Sequence, residues 1–352
     1  MKRHTARWTR AAVALAGVLS VAGCSLIGTD GGSADSGTVT LVTHDSFAIS
    51  DEARESFERE SGYELRVRKT GDAGALTNEL VLTKDAPIGD VAFGVDSTFY
   101  SRALDADVFV PYRPRGSASI PVKYAVADTR LTPIDAGDVC VNIDKRWFAE
   151  HDVEPPRNLR DLTEPRYRGL FAVPSPETSS PGLAFLLNTV ATFGPDQGWK
   201  NYWSRLVDND VRVSSSWQEA YNQDFSGSSG SGQRPIVLSY ASSPAAEVDD
   251  QGRARTEALL DTCYRQVEYA GVLRGAEHPK AARELMDFLL SWTFQSQVPE
   301  QMYVYPTVLG VELPENWERV APRPEDSTEL DPRRVEDNRA EWISQWRELT
   351  RR

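Results

Sequence analysis

Asp138-Val139-Cys140-Val141-Asn142-Ile143 and Cys263-Tyr264-Arg265-Gln266-Val267-Glu268-Tyr269-Ala270-Gly271-Val272-Leu273 decide the fold. Both are rich in β-branched and aromatic residues and read as buried strands. Between them the pattern restarts as a unit of its own, with strands at 170–173, 211–214 and 236–239 and helices at 183–193, 196–207 and 217–224. A chain that leaves one lobe by one strand and returns by another makes a two-lobed protein joined by hinge strands. Outward from this pair, 38–43, 63–69 and 89–94 read as strands, the last ending in a glycine where an α/β protein places its cleft. Residues 51–61 and 75–82 read as helices between them. Residues 279–292 and 332–349 read as helices too, and 306–324 as a proline-rich connection. The alternation is that of an α/β protein. The boundaries expected are 38–140 for the first part of lobe I, 141–264 for lobe II, and 265–352 for the return to lobe I with C-terminal helices. The low-complexity stretch 226–232 (SGSSGSG) reads as a mobile hairpin loop.

The N-terminus carries Lys2, Arg3, Arg7 and Arg10 without an acid, then an apolar run from Ala11 to Val21 about half as long as a membrane span requires. Val21-Ala22-Gly23-Cys24 resembles the bacterial lipobox. The expectation is a leader at 1–23, a lipid on Cys24, and a Gly-, Ser- and Asp-rich tether at 24–37. The alternative is an ordinary secretory leader followed by a chance cysteine. No second apolar run approaches 18 residues, so lipid is the only membrane attachment expected.

Net charge is -13, and more negative once the leader's cations are gone, which disfavours nucleic acid and acidic lipid as partners. With Cys24 taken by lipid, Cys140 and Cys263 form an even pair in an oxidising compartment and are expected to form a disulfide. It would staple the two hinge strands and contribute on the order of 4 kcal/mol by the chain-entropy account. Two buried free thiols are the alternative.

An enzyme needs a nucleophile with a base, a metal cluster or a phosphate cradle. Beyond the leader only His44, His151 and His278 remain, none at metal-ligand spacing from another His or Cys. There is no Walker A, no GxGxxG after a strand and no GxSxG, so no catalysis, metal or cofactor is expected. Present instead are aromatics beside small hydroxyls at predicted strand ends: Ser215 to Tyr221, Ser239 to Pro244, and Glu177 to Gly182 with Pro181 early in a helix. A helix start with hydroxyls suits an anion or a hydroxyl, and Trp with Tyr suits a flat cationic ring. Asp45, Asp72, Asp96 and Asp135 flank strands of the first lobe and could meet a ligand amine. Each also has an ordinary structural reading, with Trp217 and Tyr240 as core aromatics, Ser179 and Ser216 as caps, and the aspartates as turn residues.

In order along the chain, several segments are similar to those of the thiamine-binding proteins of bacterial ABC importers, within the iron and thiamine group of solute-binding proteins. Thr43-His44-Asp45-Ser46-Phe47-Ala48 looks like that family's opening strand and turn, and 178–183 like its TSTPGL. Trp217-Gln218-Glu219-Ala220-Tyr221 resembles WSEAY, 238–245 (LSYASSPA) resembles LSYTTSPA, and Gln266-Val267-Glu268 and 341–346 (EWISQW) match as well. The resemblance implies a type II periplasmic binding protein-like fold, a monomer that captures thiamine or a thiamine phosphate by lobe closure, and delivery to a permease and ATPase. It implies ligand contacts at Asp72, the hydroxyls of Ser179 and Ser180, a stacking Trp217, a lining segment of Tyr240, Ser242 and Ser243, and an aromatic at Tyr303. Asp135 precedes the crossover in a segment the family also lines with, and Asp45 is a further candidate for the ligand's amine or charge. His44, Ala136 and Ala246 stand where the family commonly has tyrosines, and Asp51 where it has a tryptophan, so fewer rings are available for stacking. Two other readings are a thiaminase-like enzyme with Cys140 as nucleophile and a ferric-ion-binding protein, the latter lacking the adjacent tyrosines such sites use.

Overall fold

Strand and helix alternate from the start of the computed structural model, which describes residues 37–126, 128–228 and 231–351. The leader, Cys24 and the tether up to residue 36 lie outside the described residues, as do Ser229 and Gly230 of the low-complexity loop. The first lobe opens with β1 (Thr38–Thr43), α1 (Asp51–Ser61), β2 (Glu64–Lys69), α2 (Ala73–Leu82), β3 (Val91–Asp96), α3 (Tyr100–Asp105) and β4 (Phe109–Val110). α1 starts where Ser50 Oγ accepts the Ala53 amide and stops at Gly62, whose φ of 77° an L side chain resists. β1 pairs in parallel with β2 and β3. Val39, Leu41, Phe57 and Phe93 pack on one face of this sheet, and Val42, Leu76, Leu80 and Phe109 on the other.

The chain leaves through β5 (Thr132–Asp144) and builds α4 (Lys145–His151), β6 (Phe171–Pro174), α5 (Ser180–Phe193), α6 (Gly198–Asp208), β7 (Arg212–Ser214), α7 (Trp217–Glu219) and β8 (Ile236–Tyr240). It returns through β9 (Thr256–Leu273), followed by α8 (Pro279–Leu289), α9 (Trp292–Met302), β10 (Tyr305–Pro306), α10 (Trp317–Val320) and α11 (Pro332–Thr350). The strand order is β2-β1-β3-β9-β5-β8-β6-β7, with β4 on β9 and β10 on β5. β5 and β9 are antiparallel from Thr132↔Ala270 to Asp144↔Thr256 and serve both lobes. At one end β9 takes β3, and at the other β5 takes β8. β5 is longer than its apolar core, because Asp135, Asp138 and Asp144 are buried within it.

The second lobe's core includes Phe171, Leu183, Leu187, Trp199, Trp203 and Ile236. α11 belongs to this core, not to the first lobe to which the sequence reading returned residues 265–352. Its Val335, Trp342 and Trp346 lie on one helical face, and Trp346 meets Trp203 edge-on at 5.6 Å. α8 and α9 do pack on the first lobe. α11 also reaches back, since Arg339 Nη1 donates to Thr98 O at 2.9 Å and Ser101 Oγ at 3.1 Å.

Cys140 and Cys263 form a disulfide between β5 and β9, with Cα atoms 4.2 Å apart and 123 residues of separation. Replacing both by alanine is expected to cost about 2–5 kcal/mol. Urea unfolding should show this as a lower midpoint, and an unchanged midpoint would show that the ladder alone fixes the hinge.

Candidate functional site

His44 follows β1 into the gap between the lobes, and Gly94 on β3 makes room for it. A Cβ on Gly94 would stand 2.1 Å from His44 Cδ2, and its φ of 100° suits glycine. His44 Nε2 lies 3.4 Å from Glu268 Oε1 on β9, an ion-pair distance without the alignment of a full hydrogen bond. Burial works against a charge on His44, but the Glu268 carboxylate, with Asp72 beyond it, outweighs burial and raises the imidazole above its ordinary value.

Asp72 precedes α2. Its Oδ1 accepts the Ala73 amide at 2.8 Å, and its Oδ2 accepts the Trp217 amide from the other lobe at 2.9 Å. Burial pushes the Asp72 carboxyl up, while the Trp217 and Ala73 amides pull against it.

In the second lobe Ser216 caps α7 by accepting the Glu219 amide. The helix then widens into a π turn over Ala220–Asp224, a distortion frequent at functional sites. Tyr221 stacks on Trp217 with centroids 5.1 Å apart at 15°. Trp217 Nε1 donates to Ser239 Oγ at 2.9 Å, and that hydroxyl is 2.7 Å from Ser243 Oγ. Tyr240 tilts against Trp217 at 6.4 Å. Gly137 permits this position, since a Cβ there would be 2.7 Å from Tyr240 Cδ1. From the first lobe comes Tyr303, the residue after α9, with φ 54°.

Of the residues expected from sequence, Asp72, Ser180, Trp217, Tyr240, Ser243 and Tyr303 line one cavity between the lobes. Four others do not line it. Asp45 turns its carboxylate onto the Gly71 amide at 3.0 Å, as a turn residue does. Ser242 is fully buried and donates to Tyr303 O at 2.5 Å, tying lobe to lobe. Ser179 is enclosed beside Asp72, and Asp135 is enclosed behind Glu268. The cavity also takes in His44, Tyr221 and Glu268, to which the sequence reading gave no role. Tyr221 had a signal, one helical turn after Trp217. Among the departures from the family pattern, Ala246 lines the cavity, while Asp51 is exposed at the start of α1 and Ala136 is buried in β5.

Cys140, which an enzymatic reading would need as nucleophile, is fully buried in its disulfide and offers no thiolate to the cleft. Among the described residues no group of three or more His, Cys, Asp or Glu is placed to hold a metal ion.

Residues 86–345 match the family described as bacterial extracellular solute-binding protein. The chain is 28% identical over 320 residues to the thiamine-binding periplasmic protein of Escherichia coli (strain K12), covering 89% of this chain and 94% of that one. It is 28% identical over 323 residues to the thiamine-binding periplasmic protein of Brucella suis biovar 1 (strain 1330), covering 90% and 92%. A solved periplasmic thiamin binding protein superposes with a TM-score of 0.80 at 27% identity, covering 90% of this chain and 96% of that one.

The lobes are closed on the cavity, which measures about 80 Å³. Small-molecule pockets occupy roughly 300–1,000 Å³, so the lobes must part to admit a ligand. Closure rests on the Asp72–Trp217 contact, the Ser242–Tyr303 contact and the Gly74 amide donating to Thr178 O at 2.9 Å. A Cβ on Gly74 would lie 2.8 Å from the Thr178 carbonyl and 2.9 Å from Phe99. Gly74→Ala should favour α2 itself yet disfavour closure by about 1–3 kcal/mol. Small-angle scattering should then give a larger radius of gyration with unchanged circular dichroism, and a superimposable scattering curve would remove Gly74 from the closing contact.

Proposed function

The chain belongs to the bacterial extracellular solute-binding protein family, and from that premise we propose that it captures thiamine or a thiamine phosphate outside the cytoplasm. It then delivers this ligand, as a monomer, to the permease and ATPase of an ABC importer. The observation that carries this reading is a single cavity in which Trp217, Tyr221, Tyr240 and Tyr303 accompany the carboxyls of Asp72 and Glu268. Aromatic faces and carboxylates together suit a flat cationic ring, and the thiazolium of thiamine is one. Ser180 is the first residue of the 14-residue α5, its hydroxyl beside the Asp96 carboxyl, and Ser179 occupies the N-cap position with its hydroxyl beside Asp72. A helix start bearing hydroxyls suits the ligand's hydroxyethyl or phosphate end. The relatives named as thiamine-binding support the same assignment.

In the mechanism we propose, β5 and β9 bend, the ligand enters between the lobes, and its contacts with both shift an existing equilibrium towards the closed form that a permease recognises. We assign residues 1–23 as a leader, Cys24 as the lipidated residue and 24–37 as the tether that keeps the carrier at the membrane. The positive N-terminus, the short apolar run and the small residues before Cys24 support this. Cys24→Ser should move the protein from the membrane fraction to the soluble extracytoplasmic fraction. Retention of the variant on membranes would refute the anchor.

Titration with thiamine, its mono- and diphosphate and its pyrimidine precursor, followed by tryptophan fluorescence, tests the ligand. Saturable quenching by at least one thiamine form is expected, and silence towards all four would sink the assignment. Trp217→Ala should lose up to about 2 kcal/mol of binding, roughly thirtyfold in affinity, with the fold intact by circular dichroism. Undiminished affinity would take Trp217 out of the site.

A further inference from the structure

Three carboxyl groups share one rung of the sheet. In the register of β3, β9 and β5, Asp96 pairs with Glu268 and Glu268 pairs with Asp135, and all three are buried. Directly opposed residues have Cβ atoms about 4.5–5.5 Å apart, and like charges there repel, so the rung cannot carry three ionised carboxylates. Burial, with Glu268 beside it and sharing a hydrogen bond with it, pushes Asp135 well above the ordinary carboxyl range. Burial also pushes Asp96 to about 7, against the pull of the Thr98 hydroxyl. The rung therefore stores protons.

His44 meets the rung from the end of β1, opposite Glu268. Facing it from the elements around it are Glu268 on β9, Asp72 before α2 and Lys69 on β2, the last opposing a charge on the imidazole. Asp96 and Asp135 stand beside Glu268 on β3 and β5. Tyr240 from β8, Tyr221 and Tyr303 complete the titratable groups around the cavity. Of the rung and its partner, only Glu268 and His44 line the cavity.

We propose that a cationic ring entering this cavity takes over from the His44 imidazolium as counter-charge to Glu268, so that capture of an organic cation releases a proton and neutral rings of similar shape are disfavoured. This rests on the reading of the ligand as a thiamine-like cation. A positive charge placed among these groups drives them all the same way. It lowers the proton affinity of His44, and it favours the ionised forms of Asp96 and Asp135. By linkage, cation affinity must then fall as pH falls through the range in which these groups gain protons, about tenfold per pH unit when one whole proton is displaced.

Imidazole resonances of the purified protein, followed against pH, test whether the proton is resident. His44 is assigned from His44→Gln, or by elimination from His151→Gln and His278→Gln should that variant fail to fold. It should titrate above the ordinary histidine value of about 6.5, and Glu268→Gln should bring it down. A His44 that titrates at or below that value overturns the proposal. Calorimetry with thiamine in buffers of different ionisation heat, between about pH 6 and 8, should then show net proton release that is reduced in His44→Gln. The neutral pyrimidine precursor should bind weakly and release none. Thiamine binding with the same heat in every buffer, or with undiminished release in His44→Gln, overturns the coupling alone. Failure of thiamine and of both its phosphates to bind at any pH removes the ligand reading and the coupling with it.

Discussion

The antiparallel pairing of β5 with β9 is the constraint on which the rest of the molecule depends. The second lobe starts after Asp144 and ends before Thr256, and these two residues face each other in the ladder. That lobe is therefore an excursion whose two ends are held side by side. The ladder can bend and twist, but it cannot slide, because a one-residue slip would turn every side chain to the opposite face. The Cys140–Cys263 bridge ties the two strands covalently at the register irregularity between Val139 and Val141. α11 adds a second crossing by packing on one lobe while Arg339 holds backbone and hydroxyl oxygens of the other.

Register irregularities in this ladder fall between Pro133 and Asp135 and between Val139 and Val141, on either side of the point where the sheet passes from one lobe to the other. Bulges bend a strand and raise its local twist, so they mark where the hinge can flex. Asp135 and Glu268 form the pair beside the first irregularity, which sets the carboxyl rung at the root of the cleft. The polar contacts that close the cleft belong largely to the protein. Asp72 accepts an amide at the start of α2 and another at the start of α7, so a single carboxylate meets the positive ends of two helices when the lobes meet. A ligand then has only to add its own contacts to a closure that already satisfies its polar groups.

Much of this was legible in the sequence because local chemistry and tertiary environment agreed. α1 was readable from its apolar face, and its ends are set by Ser50 and Gly62. The hinge strands were readable from their apolar cores, but the ends of β5 were not, because a buried aspartate in a strand has the same letter as an exposed one, and the start of β9 was not, because residues 257–261 are exposed or half-buried. α9 was partly hidden by Pro299 within it, and the placement of α11 depended on a partner surface, Trp199 and Trp203, that no local pattern reveals. At the cleft, Trp217 and Tyr240 announced themselves as aromatics beside hydroxyls at strand ends. Asp45 and Ser242 occupy equivalent positions, yet their side chains turn to Gly71 and to Tyr303. Position at a strand end limits where a side chain begins and not where it points. Glu268 fell within the matched segment Gln266-Val267-Glu268, but nothing local in the strand marks its side chain as the one that faces the cleft.

The same residue shows why an exchange of cations suits a cleft that closes. A carboxylate shut into a low-dielectric cavity without a partner costs several kcal/mol, so a site built on Glu268 alone would resist closure until its ligand arrived. With His44 in place the charge at Glu268 is balanced before capture by the imidazolium and after it by the ligand's ring, and neither state buries an uncompensated charge. A neutral ring in the same cavity leaves His44 paired with Glu268 and gains only packing against Trp217 and Tyr240. The preference for a cation then comes from the difference between two partners for one carboxylate, which lets the site discriminate by charge as well as by stacking.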